Sequence, residues 1–179
     1  MPTPVYEKRR GQLLTYFDQT AVAAWDRLTS DAPVGRIRQT VRAGRDRMRE
    51  TLLGWLPGEL HGKRLLDAGC GTGALSVEAA RRGAEVVAID LSPTLIQLAR
   101  ERTPDDIAPG RIDYLSGDML SPELGNFDYV VAMDSLIHYP ELEVVETLAR
   151  LAGRTSTAML FTFAPRTPAL TVMHSVGRL

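Results

Sequence analysis

Three carboxylates stand where strand-like runs give way to turns, and their neighbours suggest ligand chemistry. Asp67 closes Arg64-Leu65-Leu66-Asp67-Ala68 and is followed at once by Gly69-Cys70-Gly71-Thr72-Gly73; Asp90 closes Glu85-Val86-Val87-Ala88-Ile89-Asp90; Asp118 follows Gly117 after Ile112–Ser116. A glycine-dense turn between strand and helix lets a ligand approach the backbone and the helix N-terminus. Gly69-x-Gly71-x-x-Ala74, with Asp90 21 residues beyond Gly69, also fits a loose dinucleotide fingerprint. Asp67 argues against that ligand, because a carboxylate two residues before the first glycine repels a pyrophosphate and welcomes a cationic headgroup. Singly, each acid reads equally well as a cap or a surface residue; three at successive strand ends read as a site.

Two further constellations carry chemistry. Asp134-Ser135-Leu136-Ile137-His138-Tyr139-Pro140 follows the fourth strand-like run. Its His138 could act as a base or a positioner, or cap the next helix, and Tyr139-Pro140 could be a rigid turn. Arg38, Arg42, Arg45 and Arg49 step by four, three and four residues and form a stripe on one helix. The stripe reads as a solvated basic face or as a carboxylate clamp, since guanidinium pairs with carboxylate in a bidentate fork.

The elements that must position these groups alternate. Strands are expected at Arg64–Ala68, Glu85–Asp90, Ile112–Ser116, Phe127–Met133 and Ala158–Phe163. Helices are expected after Gly73, from Pro93, and from Leu142 to Leu151. Such alternation predicts an α/β fold, a Rossmann-like, doubly wound and mostly parallel sheet whose ligands sit at the carboxyl ends of the strands. Ahead of it, Leu13, Leu14, Phe17, Ala21, Ala24, Trp25 and Leu28 predict a helix from Gln12 to Leu28. Ile37, Val41, Met48, Leu52 and Trp55 predict a second. Residues 1–60 are expected to form a helical lid or substrate region, and 61–179 the ligand-binding core.

The chain has 179 residues, 44% of them hydrophobic and 24% charged, as in an ordinary globular domain. The net charge of −1 divides into +5 over residues 1–64 and −6 over the remainder, so the front is the part expected to meet an anion. Nucleic acid is not expected as a partner, because the arginines are not interleaved with stacking aromatics. Cys70 is the sole cysteine, which excludes an intrachain disulfide and fits a reducing compartment; with three histidines it cannot make a four-ligand zinc site. No apolar run approaches the roughly 20 residues of a membrane span, and because Met1–Lys8 has no apolar h-region a secretory signal is not expected. A cytoplasmic protein is expected, with the basic front as a feature that could touch a membrane surface.

The set Leu65-Leu66-Asp67-Ala68-Gly69-Cys70-Gly71-Thr72-Gly73, Asp90 and Gly117-Asp118 resembles the class I S-adenosylmethionine-dependent methyltransferases over residues 63–163. The Asp134–Pro140 run, Tyr16-Phe17-Asp18 with Trp25, Arg42-x-Gly44, and Phe163–Thr167 leading to Leu170-Thr171-Val172 resemble the magnesium-protoporphyrin IX O-methyltransferases. Arg45 and Thr29 depart from that family's pattern. The resemblance implies a methyl donor, S-adenosylmethionine, held by Asp67, Gly69, Gly71, Asp90, Leu91, Asp118, Met119 and Met133. Asp90 would take the ribose hydroxyls and Asp118 the adenine amino group, roles that suit acceptor-only carboxylates. His138 is then the catalytic candidate, as a positioner hydrogen-bonded to the propionate, as an axial neighbour of the substrate's Mg²⁺, or as a base, and Tyr16, Arg42, Arg45 and Tyr139 are candidates for substrate binding. The acceptor would be a propionate of Mg-protoporphyrin IX in (bacterio)chlorophyll biosynthesis. Magnesium would arrive only inside the substrate, with no protein metal site. The porphyrin-binding subunit of magnesium chelatase is the partner that the family implies.

A complete fold of this class ends in a two-strand hairpin, and only 16 residues follow Phe163, so a C-terminally truncated sheet is expected. The rival readings are a methyltransferase for a quinone or another small acceptor, an NAD-dependent oxidoreductase, and a porphyrin carrier without turnover.

Overall fold

Val86-Val87-Ala88-Ile89 and Val130-Val131-Ala132 are aliphatic on both faces, and strands of that kind are stable only between two covering layers. The computed structural model describes residues 3–20 and 36–163, apart from the side chains of 19–20 and 36–38. In it β1 (Arg64–Ala68), β2 (Glu85–Asp90), β3 (Arg111–Ser116), β4 (Phe127–Ala132) and β5 (Thr155–Phe161) form one sheet in the order β3-β2-β1-β4-β5. Every pairing is parallel. The N-terminal part supplies α1 (Pro4–Thr15), running into a π turn at Tyr16–Thr20, and α2 (Arg36–Trp55). The crossovers carry α3 (Ala74–Arg81), α4 (Pro93–Arg102) and α5 (Glu141–Ala152).

Alternation along the strands divides the core into two layers. Leu65, Val86, Tyr129 and Val131 pack with Leu52, Leu53, Leu56, Leu75 and Ala79 on one face. Leu66, Val87, Val130 and Ala132 pack with Tyr6, Leu13, Leu120 and Leu151 on the other. Because β1 lies between β2 and β4, the chain reverses its lateral direction there. The carboxyl ends of β1 and β4 consequently open the crevice in which doubly wound sheets hold ligands.

The first helix starts eight residues before the expected Gln12. Thr3 caps it by accepting from the Tyr6 amide at 3.0 Å, and Pro4 occupies the first turn. Polar contacts hold this stretch as much as apolar ones do: Tyr6 and Arg10 reach Asp118, Arg9 reaches the His138 carbonyl, and Thr3 reaches Glu143. A search for apolar periodicity passes over such a segment. On α2 the expected apolar face is rotated. Val41 and Trp55 are exposed, Leu52 and Leu53 are buried, and the face over the crevice carries arginines. β3 and β5 begin earlier than expected, at Arg111 and Thr155, β5 with an irregularity opposite Phe127–Tyr129. β4 and β5 end at Ala132 and Phe161, short of the expected Met133 and Phe163. Expectations on Ala21, Ala24, Trp25, Leu28 and Thr29, on the side chains of Ile37 and Arg38, and on residues 164–179 and the terminal hairpin lie outside the described residues.

Candidate active site

A cavity of about 340 Å³ opens at the carboxyl ends of β1, β2 and β4, beneath α2. Its floor is the glycine turn. Gly69, Gly71 and Gly73 take φ of 86°, 55° and 80°, in the left-handed region. Two of them are fixed by space as well: a Cβ on Gly69 would lie 2.4 Å from Ser135 Cβ, and one on Gly73 2.5 Å from Tyr114 Oη. The Gly69 and Cys70 amides donate to the Ile89 carbonyl at 2.8 and 3.0 Å, tying the turn to the end of β2. Asp90 completes the tie, accepting from the Gly71 amide at 2.9 Å on one oxygen and from the Ser92 amide at 3.0 Å on the other. Burial raises the Asp90 carboxyl above the ordinary carboxylate range, against the pull of these amides.

Asp67 lies beneath the turn, 1% exposed, accepting from Ser76 Oγ at 2.6 Å. Burial pushes its carboxyl up to about 7. A buried carboxylate at that value is poised to ionise beside a cation. Cys70 also lines the cavity, and burial holds its thiol well above the usual value.

The opposite wall is basic. Arg42, Arg45 and Arg49 of α2 line it together with Asp46. Arg45 forms an ion pair with Asp134, and Arg49 one with Asp46 at 2.8 Å. Asp134 has φ of 57° and donates its amide to Thr162 Oγ1 at 2.7 Å. His138, in a short 3₁₀ turn at Leu136–His138, lines the cavity with its ring edge-on to Phe17 at 5.1 Å. Burial, and then the Arg9 cation, hold this imidazole below its ordinary value, so it is neutral at pH 7. It does not cap α5, whose N-cap is Pro140 with no side-chain bond. Tyr139 also lines the cavity, its ring stacked on Tyr6 at 5.1 Å, and burial pushes its phenol up to about 12.

Asp67, Gly69, Gly71, Asp90, Leu91, Met119 and Met133 line the cavity with Arg42, Arg45, His138 and Tyr139, so most of the sequence-derived set converges on one place. Two members stand outside the cavity lining. Asp118 does not line the cavity. One of its oxygens accepts from Tyr6 Oη at 2.7 Å and from the Leu120 amide at 2.9 Å, and the other pairs with Arg10 at 2.6 Å. The side-chain partners lie more than 100 residues away, which no local pattern reveals. Tyr16 is half exposed and edge-on to Phe17, and Phe17 is the aromatic that faces the cavity. Phe17 repeats four residues after the buried Leu13, a signal that favours it over Tyr16. Asp134 and Ser135, which the sequence singles out only as part of the Asp134–Pro140 run, line the cavity with His138.

Residues 65–156 match the methyltransferase domain family. Over 175 residues the chain is 50% identical to the magnesium-protoporphyrin O-methyltransferase of Rhodobacter capsulatus, covering 97% of this chain and 78% of that protein. It is 32% identical over 166 residues to the magnesium-protoporphyrin O-methyltransferase of Synechocystis sp. strain PCC 6803, covering 92% and 72%. Among solved structures, the magnesium protoporphyrin IX methyltransferase from Synechocystis PCC 6803 with bound SAH superposes with a TM-score of 0.85 at 30% identity, covering 94% of this chain and 78% of that one.

Proposed function

Since this chain belongs to the magnesium-protoporphyrin O-methyltransferases, we propose that it moves a methyl group from S-adenosylmethionine to a propionate carboxylate of Mg-protoporphyrin IX. The observation that carries this reading is the two-sided cavity. A cation-seeking carboxylate and a glycine turn face an arginine-bearing helix across the switch point of the sheet.

The residues present fit the methyl donor. The left-handed glycines leave backbone room for its methionine part, with the buried Asp67 carboxylate next to its positive charge. Asp90, with Leu91 and Met119, suits the ribose and adenine, and Met133 lines the same cavity. Bound there, S-adenosylmethionine supplies an electrophilic methyl group on a sulfonium. A propionate, with an ordinary pKa near that of glutamate at about 4.3, is ionised at neutral pH and needs no base. The protein's task is alignment and the removal of carboxylate water. Arg42 and Arg45 hold the carboxylate end of the substrate, Phe17 lies against its ring, and the neutral His138 donates an N–H to the reacting carboxylate. The Asp118 carboxylate, paired with Arg10 and Tyr6, docks α1 against the sheet.

The test is direct. The chain is mixed with methyl-labelled S-adenosylmethionine and Mg-protoporphyrin IX, and a labelled porphyrin ester is sought. A labelled ester is the expected result, and its absence overturns the reading. We propose as well that the porphyrin-binding subunit of magnesium chelatase delivers the substrate and that the basic front rests on membrane surfaces. Co-purification with that subunit and sedimentation with anionic vesicles test these two. No helix of the described residues is long and apolar enough to cross a membrane.

A further inference from the structure

Asp134 is a residue of the wrong sign in a costly conformation. It lines a cavity whose acceptor is, on the reading above, an anion, so its own carboxylate repels that ligand. Its φ of 57° lies in the left-handed region, which side chains other than glycine adopt at a cost, smaller for aspartate and asparagine than for most. The Asp134 amide is nonetheless pinned to Thr162 Oγ1 at 2.7 Å, just past the end of β5. A strained, repulsive residue held this firmly calls for a compensating gain.

The gain is on α2. Among the described side chains of that helix only Leu52 and Leu53 are buried, both in its last turn. The three turns before them stand over the cavity, where aliphatic packing does not hold them. The ion pair from Arg45 to Asp134 ties this half of the helix to the end of β4, with both side chains largely buried, 21% and 15% exposed. An arginine otherwise has many rotamers, and a planar guanidinium is useful to a carboxylate ligand only in one orientation. We propose that Asp134 is a positioning residue for the acceptor site: it fixes Arg45 and the cavity-facing half of α2 so that the guanidinium meets the substrate carboxylate, without touching the substrate itself. This rests on the methyl-acceptor reading above and adds to it the residue that sets the acceptor's affinity.

The test is Asp134→Asn, because asparagine tolerates the left-handed backbone and the change removes charge alone. Affinity for Mg-protoporphyrin IX is read by absorbance titration and as KM, affinity for S-adenosylhomocysteine by calorimetry. The expected result is a porphyrin Kd and KM raised about ten- to hundredfold, the scale of a lost charged hydrogen bond, with S-adenosylhomocysteine affinity within about twofold of wild type. Arg45→Ala should weaken porphyrin binding comparably, and Arg45→Ala/Asp134→Asn no further than Arg45→Ala alone, because the two act as one unit.

Asp134→Gly relieves the backbone strain while deleting the carboxylate. It should fold and show the same loss of porphyrin affinity. Unchanged porphyrin affinity in the folded variants overturns the proposal, and so does tighter binding, which would make Asp134 a competitor for Arg45. An equal loss of both ligands, or a shifted pH profile of kcat at constant KM, overturns it too. The first would mark a general loosening and the second an action through His138. A wild-type chain that neither binds nor methylates Mg-protoporphyrin IX overturns the functional reading itself, whereas wild-type turnover with an indifferent Asp134→Asn overturns this inference alone.

Discussion

On the function proposed above, His138 is the residue on which the chemistry turns, and its environment favours a neutral positioner over a general base. Burial and Arg9 keep the imidazole neutral at pH 7, while the nucleophile is already ionised. A general base would give a rate that climbs with pH through a pKa below about 6.5. A neutral N–H donor gives a kcat that is level from about pH 6.5 to 8, and that is the expected profile. His138→Ala should lower kcat about 100-fold across that whole range by misalignment alone, with S-adenosylmethionine still bound, as steady-state kinetics and calorimetry together would establish. Asp90→Ala should act on the other ligand, weakening S-adenosylmethionine by about 1.5–3 kcal/mol in calorimetry. It also frees the Gly71 and Ser92 amides that Asp90 holds, so the loss should extend to S-adenosylhomocysteine. Both residues are legible in the sequence because Asp90 closes β2 and His138 stands in the segment that follows β4. Asp118 had the same credentials and a different fate, because Tyr6 and Arg10 claim its oxygens from the far end of the chain.

Among the elements, the glycine turn is the least forgiving. Gly69→Ala should cost about 1–2 kcal/mol for the left-handed backbone. A further cost of about 1–3 kcal/mol should follow from the overlap with Ser135, measured by denaturant unfolding, with donor binding lost in the same variant. The overlap partner matters, since Ser135 is two residues from Met133 and three from His138, so a bulkier turn also displaces the acceptor side. The strands are legible from their aliphatic runs, β1 and β2 to the residue and the others to within three residues, because a buried parallel strand has a strong compositional signature. The start of α1 is not legible, because Thr3, Tyr6, Arg9 and Arg10 bind through hydrogen bonds that leave no periodic trace. α2 was read at the right place with its apolar face rotated, because a helix over a cavity need not be aliphatic where it faces inward.

For the molecule as a whole, Asp67 links ligand and proton to stability. Its carboxyl is raised to about 7 in the fold, against about 3.9 in the unfolded chain, so its neutral form favours folding. That contribution is fully present below about pH 4 and is lost as pH rises through about 7. Asp67 should therefore lower the ligand-free melting temperature between pH 5 and pH 8, and Asp67→Asn should flatten this part of the curve in calorimetric scans. A cationic donor beside Asp67 offsets the cost of its charge. The rise in melting temperature that S-adenosylmethionine produces should accordingly be larger at pH 8 than at pH 5.5.

The sheet order also governs when the cavity can come into being during synthesis. β1 pairs with β4 through Leu65↔Tyr129, Leu66↔Val130 and Asp67↔Val131, partners 64 residues apart, and closing so long a loop makes parallel pairing slow. The glycine turn and the His138 segment meet only across this pairing. A ribosome must therefore have released the chain beyond Ala132 before any donor pocket exists, and a nascent chain ending at β3 carries half a site with its Gly69 side uncovered by Ser135.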